Sequence, residues 1–203
     1  MLTEISHFDP DLLEGTYAKS KAVATQYVLD SADENLRVCV VHPSTCVGPY
    51  DNNGTSSMCS VVSMASKGLM PLTFDFGTCN FVDVRDVAKG MVAAAEKGGN
   101  GECYLLCGDL ITNHDYMTVL NVACGRKPPK ISIKKKTVFK MLPILEKVCE
   151  IAKLPPMVNE YSMRKTLENF NFSNQKARRE LGFEPRDLKE SFADTARWLK
   201  ENK

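Results

Sequence analysis

The chain has 203 residues, of which 43% are hydrophobic and 25% are charged, and its formal net charge is +1. This composition is ordinary for a globular protein, and the small net charge gives no sign of a nucleic-acid or membrane partner. No segment approaches the ~18 apolar residues that a membrane span needs, and the first fifteen residues, MLTEISHFDPDLLEG, lack the basic start and apolar centre of a signal peptide.

Eight cysteines are scattered along the chain, most of them among apolar neighbours, as in RVCVV and CYLLC. A chain of this length does not need disulfide bonds, so we expect a cytoplasmic protein whose thiols serve as small core residues. Cys103 and Cys107 have no second pair at zinc spacing, and the three histidines lie far apart in the sequence. We therefore expect no metal site.

Helix-like and strand-like segments alternate from residue 16 to residue 125. The predicted helices are 16–32, 58–68, a helix capped by Asp86 and stopped at Gly98 and Gly99, and 116–125. The predicted strands are 36–42, 81–84 and 102–108, and the loop PSTCVGPYDNNGTSS follows the first of them. This alternation predicts an α/β fold with a parallel sheet.

The last third of the chain has a different character. The basic segment RKPPKISIKKKTVFK is interrupted by prolines and precedes a predicted helix at PILEKVCEIAKL. A short helix at NQKARREL comes next, and DLKESFADTARWLKEN closes the chain as a predicted amphipathic helix. Its inward residues are expected to be Leu188, Phe192, Thr195 and Leu199.

Tyr17 and Lys21 stand four residues apart on the first predicted helix, so their side chains are neighbours on one helical face. An ammonium group beside a phenol favours the phenolate form. Such a tyrosine can exchange a proton with a carbonyl or hydroxyl oxygen, as hydride transfer at the adjacent carbon requires. By itself the spacing is equally compatible with a half-buried tyrosine beside a solvated lysine.

The order of the motifs resembles the extended short-chain dehydrogenase/reductases, the family of nucleotide-sugar epimerases, dehydratases and dihydroflavonol-type reductases. Its YxxxK motif matches at Tyr17 and Lys21, and HPSTCVGPYD resembles its loop after the next strand. FVDVRDVAKGM, GECYLLCGD and the two closing helices keep the family's order. The loop and the tail are most similar to the dihydroflavonol-reductase-like branch.

This resemblance implies a role for each matched position. Tyr17 would be the general acid/base and would also contact the cofactor, and Lys21 would tune Tyr17 and hydrogen-bond the nicotinamide ribose of NAD or NADP. The substrate would be a small molecule or a nucleotide-sugar. The further expected cofactor contacts are Pro43, Ser44, Thr45 and Ser57, with Ser56 as the alternative to Ser57.

One expected motif is missing, because the sequence contains no GxxGxxG or GxGxxG turn to bind the cofactor's pyrophosphate. The resemblance thus implies the C-terminal part of a Rossmann-type doubly wound parallel sheet plus a small, mostly helical substrate lobe. Residues 1–50 and 78–125 are the expected Rossmann remnant, and 51–77 and 126–203 the expected lobe. We expect a truncated chain that is inactive alone and that associates as a homodimer or with a missing N-terminal half, which would cover the open sheet edge.

Two other functional classes remain open at this stage. A non-catalytic domain that binds a nucleotide-sugar or a protein would explain the missing glycines, but it would not need the Tyr17–Lys21 pair. The basic segment 126–140 could meet a nucleic acid or a phosphate-bearing substrate. Because no aromatic residues are interleaved among its lysines, we do not expect nucleic-acid binding.

Overall fold

The computed structural model describes residues 1–51, 56–151 and 171–202. A 3₁₀ helix at Pro10–Leu12 precedes the regular elements. In chain order these are α1 Thr16–Asp30, β1 Cys39–Pro43, β2 Thr45–Val47, α2 Ser57–Ser66, β3 Leu72–Phe74, β4 Thr78–Asp83, α3 Val84–Lys97, β5 Glu102–Leu106, β6 Leu110–Thr112, α4 Asn113–Ala123, β7 Ile131–Ile133, α5 Lys135–Ile151, α6 Gln175–Leu181 and α7 Leu188–Glu201. The predicted alternation of helices and strands is confirmed.

The strands pair in three small sheets. Strands β1 and β5 are parallel, with a register from Cys39 opposite Glu102 to Pro43 opposite Leu106, and β3 and β7 are also parallel. Strands β2, β4 and β6 form the third sheet, in which β4 and β6 are antiparallel. The α/β class with parallel pairing is therefore confirmed.

The expectation that residues 81–84 join the same parallel sheet as the other two predicted strands is wrong. These residues belong to β4 and α3, and β4 lies in the sheet with β2 and β6. The partner of a four-residue apolar run depends on what its side chains pack against. Here Phe81 stacks on Tyr116 of α4, with ring centroids 4.7 Å apart.

Helix α3 begins three residues earlier than expected, so the prediction that Asp86 caps it is wrong. Asp83 is the N-cap, and its carboxylate accepts a hydrogen bond of 2.8 Å from the backbone N–H of Arg85. Asp86 lies in the first turn, where its carboxylate accepts hydrogen bonds from Arg186. Asp83 and Asp86 both stand near the start of α3 in the sequence. Asp83 caps the helix, whereas Asp86 forms an ion pair with the distant Arg186.

Helix α7 matches its predicted amphipathic pattern. The Asp187 carboxylate caps it by accepting a hydrogen bond from the backbone N–H of Lys189 at 2.7 Å. Phe192 and Thr195 are fully buried. Leu188 and Leu199 are partly buried and pack against the same core. Helix α5 starts at Lys135, earlier than predicted, and the predicted residues 152–154 lie outside the described residues.

The chain divides into two compact units, each built from separate segments. The first unit contains Met1–Cys46, Val82–Gly108 and Phe172–Arg186, and the second contains Val47–Phe81, Asp109–Asn171 and Asp187–Lys203. These boundaries differ from the expected ones at 47–50, 78–81, 109–125 and 172–186. Helix α6 belongs to the first unit because Ala177 and Leu181 pack into its core, and α4 belongs to the second because Met117 and Leu120 pack there. In residues 1–51, 56–151 and 171–202, no helix combines the length and the apolar character needed to cross a membrane.

Candidate functional site

Helix α1 carries the predicted catalytic pair. The helix starts after Gly15, whose φ of +86° suits glycine, and buried Ala22 and Leu29 anchor it to the first unit. The Lys21 ammonium lies 5.7 Å from the centre of the Tyr17 ring, within the range of a cation–π contact. The Tyr17 side chain is 77% exposed, so its hydroxyl is accessible to a ligand.

A second set of predicted residues lies where β1 ends. Strand β1, which is parallel to β5, ends at Pro43. The backbone N–H of the next residue, Ser44, donates a 3.1 Å hydrogen bond to the Leu106 carbonyl. Thr45 begins β2 and is exposed. The backbone at Pro43 and Ser44 is thereby held at the carboxyl end of the strand pair, the edge at which open α/β sheets bind ligands.

Both sets meet at one groove of about 710 Å³ within the first unit, which we call the Lys21 groove. Its lining includes Lys21 from α1, Pro43 and Ser44 from the end of β1, and the N-terminal residues 2–5. The structure therefore brings Lys21, Pro43 and Ser44 together. Tyr17 stands one helical turn before Lys21, just outside the lining, and Thr45 is likewise outside it.

The predicted phosphate-side serines do not belong to this groove. Ser56 is the N-cap of α2, where its hydroxyl accepts a hydrogen bond of 3.2 Å from the backbone N–H of Cys59. Ser57 is the exposed first residue of α2 and lies in the second unit. The structure thus gives Ser56 a local capping role, and a cofactor contact at Ser57 stays a prediction.

Two buried polar atoms in the Lys21 groove were not singled out from the sequence. His42 Nε2 and Ser44 Oγ are both shielded from solvent and have no hydrogen-bond partner in the described part of the chain. Ser44 was predicted for its backbone alone, and His42 was not predicted at all. The available signal in the sequence was the position of His42, near the end of an otherwise apolar strand and directly before the Pro-Ser-Thr loop.

The environment keeps the His42 imidazole neutral. Burial lowers the pKa of His42 below its ordinary value, and the nearby Glu4 carboxylate only partly opposes this. Phe8 packs on the imidazole with ring centroids 5.4 Å apart. Glu4 is itself held in place, since its Oε1 accepts a 2.9 Å hydrogen bond from the backbone N–H of Leu105. A neutral imidazole can offer either a donor or an acceptor to a ligand in the groove.

Thiols and carboxylates do not gather into a metal site within the described ranges. Cys103 and Cys107 both line the Lys21 groove, but they are buried, and burial raises the pKa of Cys103. The thiol of Cys103 thus stays protonated at neutral pH and contributes no negative charge near Lys21. The chemistry of the groove rests on the ammonium, the hydroxyls, the imidazole and the Glu4 carboxylate.

Comparison with known proteins gives several relatives. Sterol demethylase protein B of Methylococcus capsulatus is 29% identical over 97% of this chain, and a putative dihydroflavonol 4-reductase of Synechocystis is 27% identical over 92%. The crystal structure of gox2253 superposes with a TM-score of 0.72 and 29% identity over 95% of this chain. A nucleoside-diphosphate-sugar epimerase from Pseudomonas aeruginosa superposes with a TM-score of 0.67 and 21% identity over 93% of this chain, which supports the fold alone.

The match covers only part of each relative. The chain spans 59% of the Methylococcus protein, 55% of the Synechocystis protein, and 58% and 56% of the two solved structures. The model of the family described as NAD dependent epimerase/dehydratase matches residues 3–107, a range that contains α1, β1 and β5. More than half of the chain is covered by this one family model, and the protein therefore belongs to the NAD dependent epimerase/dehydratase family.

Proposed function

We propose that this chain provides the proton-transfer residues and the nicotinamide-side contacts of an NAD(P)-linked oxidoreductase. The reaction would occur at a hydroxyl or carbonyl carbon of a small molecule. The observation that carries the proposal is the Lys21 groove, in which Lys21, Pro43 and Ser44 meet one helical turn from Tyr17. A non-catalytic domain would have no need for an accessible phenol beside an ammonium group at such a groove.

The residues in the groove fit a nicotinamide group. A carboxamide offers both a donor and an acceptor, and the shielded His42 Nε2 and Ser44 Oγ have no hydrogen-bond partner among the described residues. The apolar walls suit a flat aromatic ring, and Lys21 can donate hydrogen bonds to ribose hydroxyls. When bound, NAD or NADP supplies or accepts the hydride.

The chain's own residues would move the proton. In the reducing direction the Tyr17 hydroxyl donates its proton to the substrate carbonyl oxygen, and in the oxidising direction the Tyr17 phenolate accepts the proton of the substrate hydroxyl. The Lys21 ammonium lies 5.7 Å from the centre of the Tyr17 ring, where it can hydrogen-bond the ribose of the cofactor. The helix keeps the two side chains one turn apart, and the buried residues Ala22 and Leu29 hold this helix against the first unit.

The complete reaction would also need a pyrophosphate-binding segment. Dinucleotides bind through backbone N–H groups at a glycine-rich helix start, and none of the 203 residues forms the corresponding motif. We propose that a polypeptide outside this sequence supplies it. The same requirement explains why we expect the isolated chain to be inactive.

Two substrate classes follow from the relatives. The Methylococcus and Synechocystis proteins are named for sterol and dihydroflavonol chemistry, and the walls of the Lys21 groove are mainly apolar. A hydroxyl or ketone on a fused-ring compound is therefore the first candidate. A nucleotide-sugar is the second, in keeping with the Pseudomonas aeruginosa epimerase of similar fold.

The decisive experiment is Tyr17→Phe in a protein completed with a glycine-rich nucleotide-binding half. Turnover of a fused-ring ketone or a nucleotide-sugar would be followed by NAD(P)H absorbance. We expect kcat to fall by ~10²–10⁴-fold, while cofactor affinity changes little, because proton transfer belongs to the transition state.

Tyr27→Phe is the matched control, since Tyr27 lies on the same helix and is also 77% exposed. Neither substitution should alter thermal stability, because both side chains point into solvent. Turnover within twofold of the parent in the Tyr17→Phe protein would show that Tyr17 is not the proton-transfer residue.

A further inference from the structure

A second groove, of about 640 Å³, lies entirely within the second unit, and we call it the Arg126 groove. It is formed where α2 and α4 end and where the last turns of α7 pass beside them. Four basic side chains surround it: Lys67, Arg126, Arg197 and Lys200. Among the described lining residues no carboxylate is present. The four basic side chains therefore line one groove that has no acidic partner among these lining residues.

The basic residues differ in how far they are already engaged. The Arg126 guanidinium donates a hydrogen bond of 2.9 Å from Nε to the Ser66 carbonyl and so closes the end of α2. Arg197 forms an ion pair of 3.1 Å with Asp194. Within the described ranges, the ammonium groups of Lys67 and Lys200 form no hydrogen bond or ion pair. Two of the four positive charges are thus available to a ligand.

Helix dipoles reduce this positive charge but do not cancel it. The ends of α2, α4 and α7 each place roughly half a negative charge near the groove. With the Asp194 carboxylate included, a surplus of between about one and two positive charges remains. Burial raises the pKa of the Cys124 thiol, which lines the groove, so this thiol stays neutral at pH 7.

The floor of the Arg126 groove is apolar. Ala123, Ala193, Ala196 and Leu199 form it, and Ala196 and Leu199 also pack into the core of the second unit. Its volume lies within the range of ~300–1,000 Å³ that is typical of small-molecule sites. A ligand that matches both parts of the groove has an anionic group that contacts Lys67 and Lys200. It also has a hydrophobic part that packs on the alanine and leucine side chains.

We propose that the Arg126 groove binds an organic phosphate with an aromatic or aliphatic body. The phosphate contacts Lys67 and Lys200, with Arg126 and Arg197 at the margin, and the body rests on Ala193, Ala196 and Leu199. Charge-assisted hydrogen bonds to phosphate are stronger than neutral ones, and they would engage the two ammonium groups that are free in the described structure. This site is independent of the Lys21 groove and of the reaction proposed there.

The test uses the full 203-residue chain and the probe 1-naphthyl phosphate, with 1-naphthol and inorganic phosphate as partial probes. Calorimetry should show that 1-naphthyl phosphate binds at least about tenfold more tightly than either partial probe. In two-dimensional amide NMR spectra, the shifts on binding should concentrate at residues 63–67, 123–126 and 193–200. The double variant Lys67→Gln/Lys200→Gln should weaken binding by at least about tenfold.

Lys189→Gln is the matched control, because Lys189 lies on α7, is exposed and does not line the groove. It should leave the affinity within twofold, and all variants should retain the parent's thermal midpoint. Equal affinity of the double variant and the parent would overturn the proposal. So would equal binding of 1-naphthol and 1-naphthyl phosphate, NMR shifts confined to the first unit, or tight binding of an acidic peptide in place of the phosphate.

Discussion

Lys21 contacts two different environments, and this sets it apart from Lys19, the other lysine of α1. Its ammonium lies over the Tyr17 ring, and its side chain lines the groove that also contains Pro43 and Ser44. A residue with both contacts can act on the phenol and on a bound ribose. Tyr17 contacts Lys21 through its ring but lies outside the described groove lining.

We therefore predict that Lys21→Ala in the completed protein lowers both kcat and cofactor affinity, each by at least about tenfold. Lys21→Arg should restore little, because a planar guanidinium replaces a compact charge in a groove shaped by its neighbours. Steady-state kinetics and cofactor titration separate the two effects. The control is Lys19→Ala on the exposed side of α1. A Lys21→Ala protein with unchanged cofactor affinity would contradict the double role.

At the scale of single residues, the sequence predicted Tyr17 and Lys21 from their spacing. It did not predict His42, whose proposed role depends on burial. The i,i+4 spacing of Tyr17 and Lys21 identified a pair that the helix does bring together. The position of His42 before the Pro-Ser-Thr loop was a weak signal, because a histidine at the end of a strand is equally compatible with a solvated position. Only the three-dimensional packing of Phe8 and Glu4 against His42 makes its Nε2 a shielded atom without a partner in the described residues.

Among the elements, α3 approaches β5 unusually closely at Gly90. A Cβ atom at this position would lie 2.8 Å from Leu106 Cδ1 and 3.3 Å from Phe183 Cδ2. Leu106 is fully buried and Phe183 nearly so, so neither side chain can move into solvent. The glycine thereby allows the helix to pack directly on the strand that fixes the position of Ser44 through the Leu106 carbonyl.

We predict that Gly90→Ala lowers the free energy of unfolding by up to about 2 kcal/mol. Alanine gains about 1 kcal/mol of helix propensity, but overpacking a buried site typically costs about 1–3 kcal/mol. Urea unfolding measures the balance. Val92→Ala, at a position 59% exposed on the same helix, should stay within about 0.5 kcal/mol of the parent. A stabilised Gly90→Ala protein would show that the contact relaxes freely.

The types of the elements were predictable because apolar periodicity and helix caps are local features of the sequence. The partner of each strand was not predictable, because it depends on contacts between distant residues. The β1 strand was predicted from seven consecutive residues, and β5 was predicted as another strand of a parallel sheet but not as the neighbour of β1. Strand β4 was expected in the same sheet, yet it pairs in another one, where Phe81 contacts Tyr116. Similarly, Asp83 and Asp86 both suit a cap, and in the structure Asp83 caps α3 while Asp86 accepts the hydrogen bonds of Arg186, which lies 3.6 Å from Asp83 as well.

Across the whole molecule, the first unit depends on contacts between segments far apart in sequence. Arg186 donates hydrogen bonds to Asp86 from its backbone N–H and its side chain, at distances of 2.7–2.9 Å, across 100 residues. Asp86 and the neighbouring Asp83 are both buried. This ion pair attaches the segment after α6 to the start of α3, which local patterns in the sequence could not reveal.

We predict that this ion pair makes the protein sensitive to acid. Burial alone would raise the pKa of Asp86, but the hydrogen bonds and charge of Arg186 outweigh it and lower the pKa below the ordinary value of 3.8. Because the unfolded chain protonates Asp86 first, the stabilisation is complete above that value and is lost as the pH falls through the folded-state pKa.

Asp86→Asn should therefore cost roughly 1.5–3 kcal/mol of unfolding free energy at pH 7, because it removes the charge-assisted hydrogen bonds of Arg186 and leaves that half-buried guanidinium only Asp83, 3.6 Å away. The difference from the parent should narrow as the pH falls below 4, which urea unfolding at stepped pH would measure. Asp11→Asn on the exposed 3₁₀ helix is the control and should change little. A difference that is constant from pH 7 to pH 3 would exclude the ion pair as its source.

The last prediction concerns what the 203 residues can bind by themselves. The Lys21 groove offers contacts for a nicotinamide ring and its ribose, but the sequence has no glycine-rich helix start for the pyrophosphate. At the Lys21 groove we expect calorimetry to give dissociation constants above roughly 1 mM for NADH and NADPH, equivalent to less than about 4 kcal/mol of binding free energy. Nicotinamide mononucleotide should bind this groove about as well as NADH, because the adenosine half finds no dedicated site beside it. Addition of a glycine-rich nucleotide-binding half should then favour NADH strongly over the mononucleotide. Micromolar binding of either dinucleotide to the isolated chain would mean that these residues hold a pyrophosphate site of a different kind.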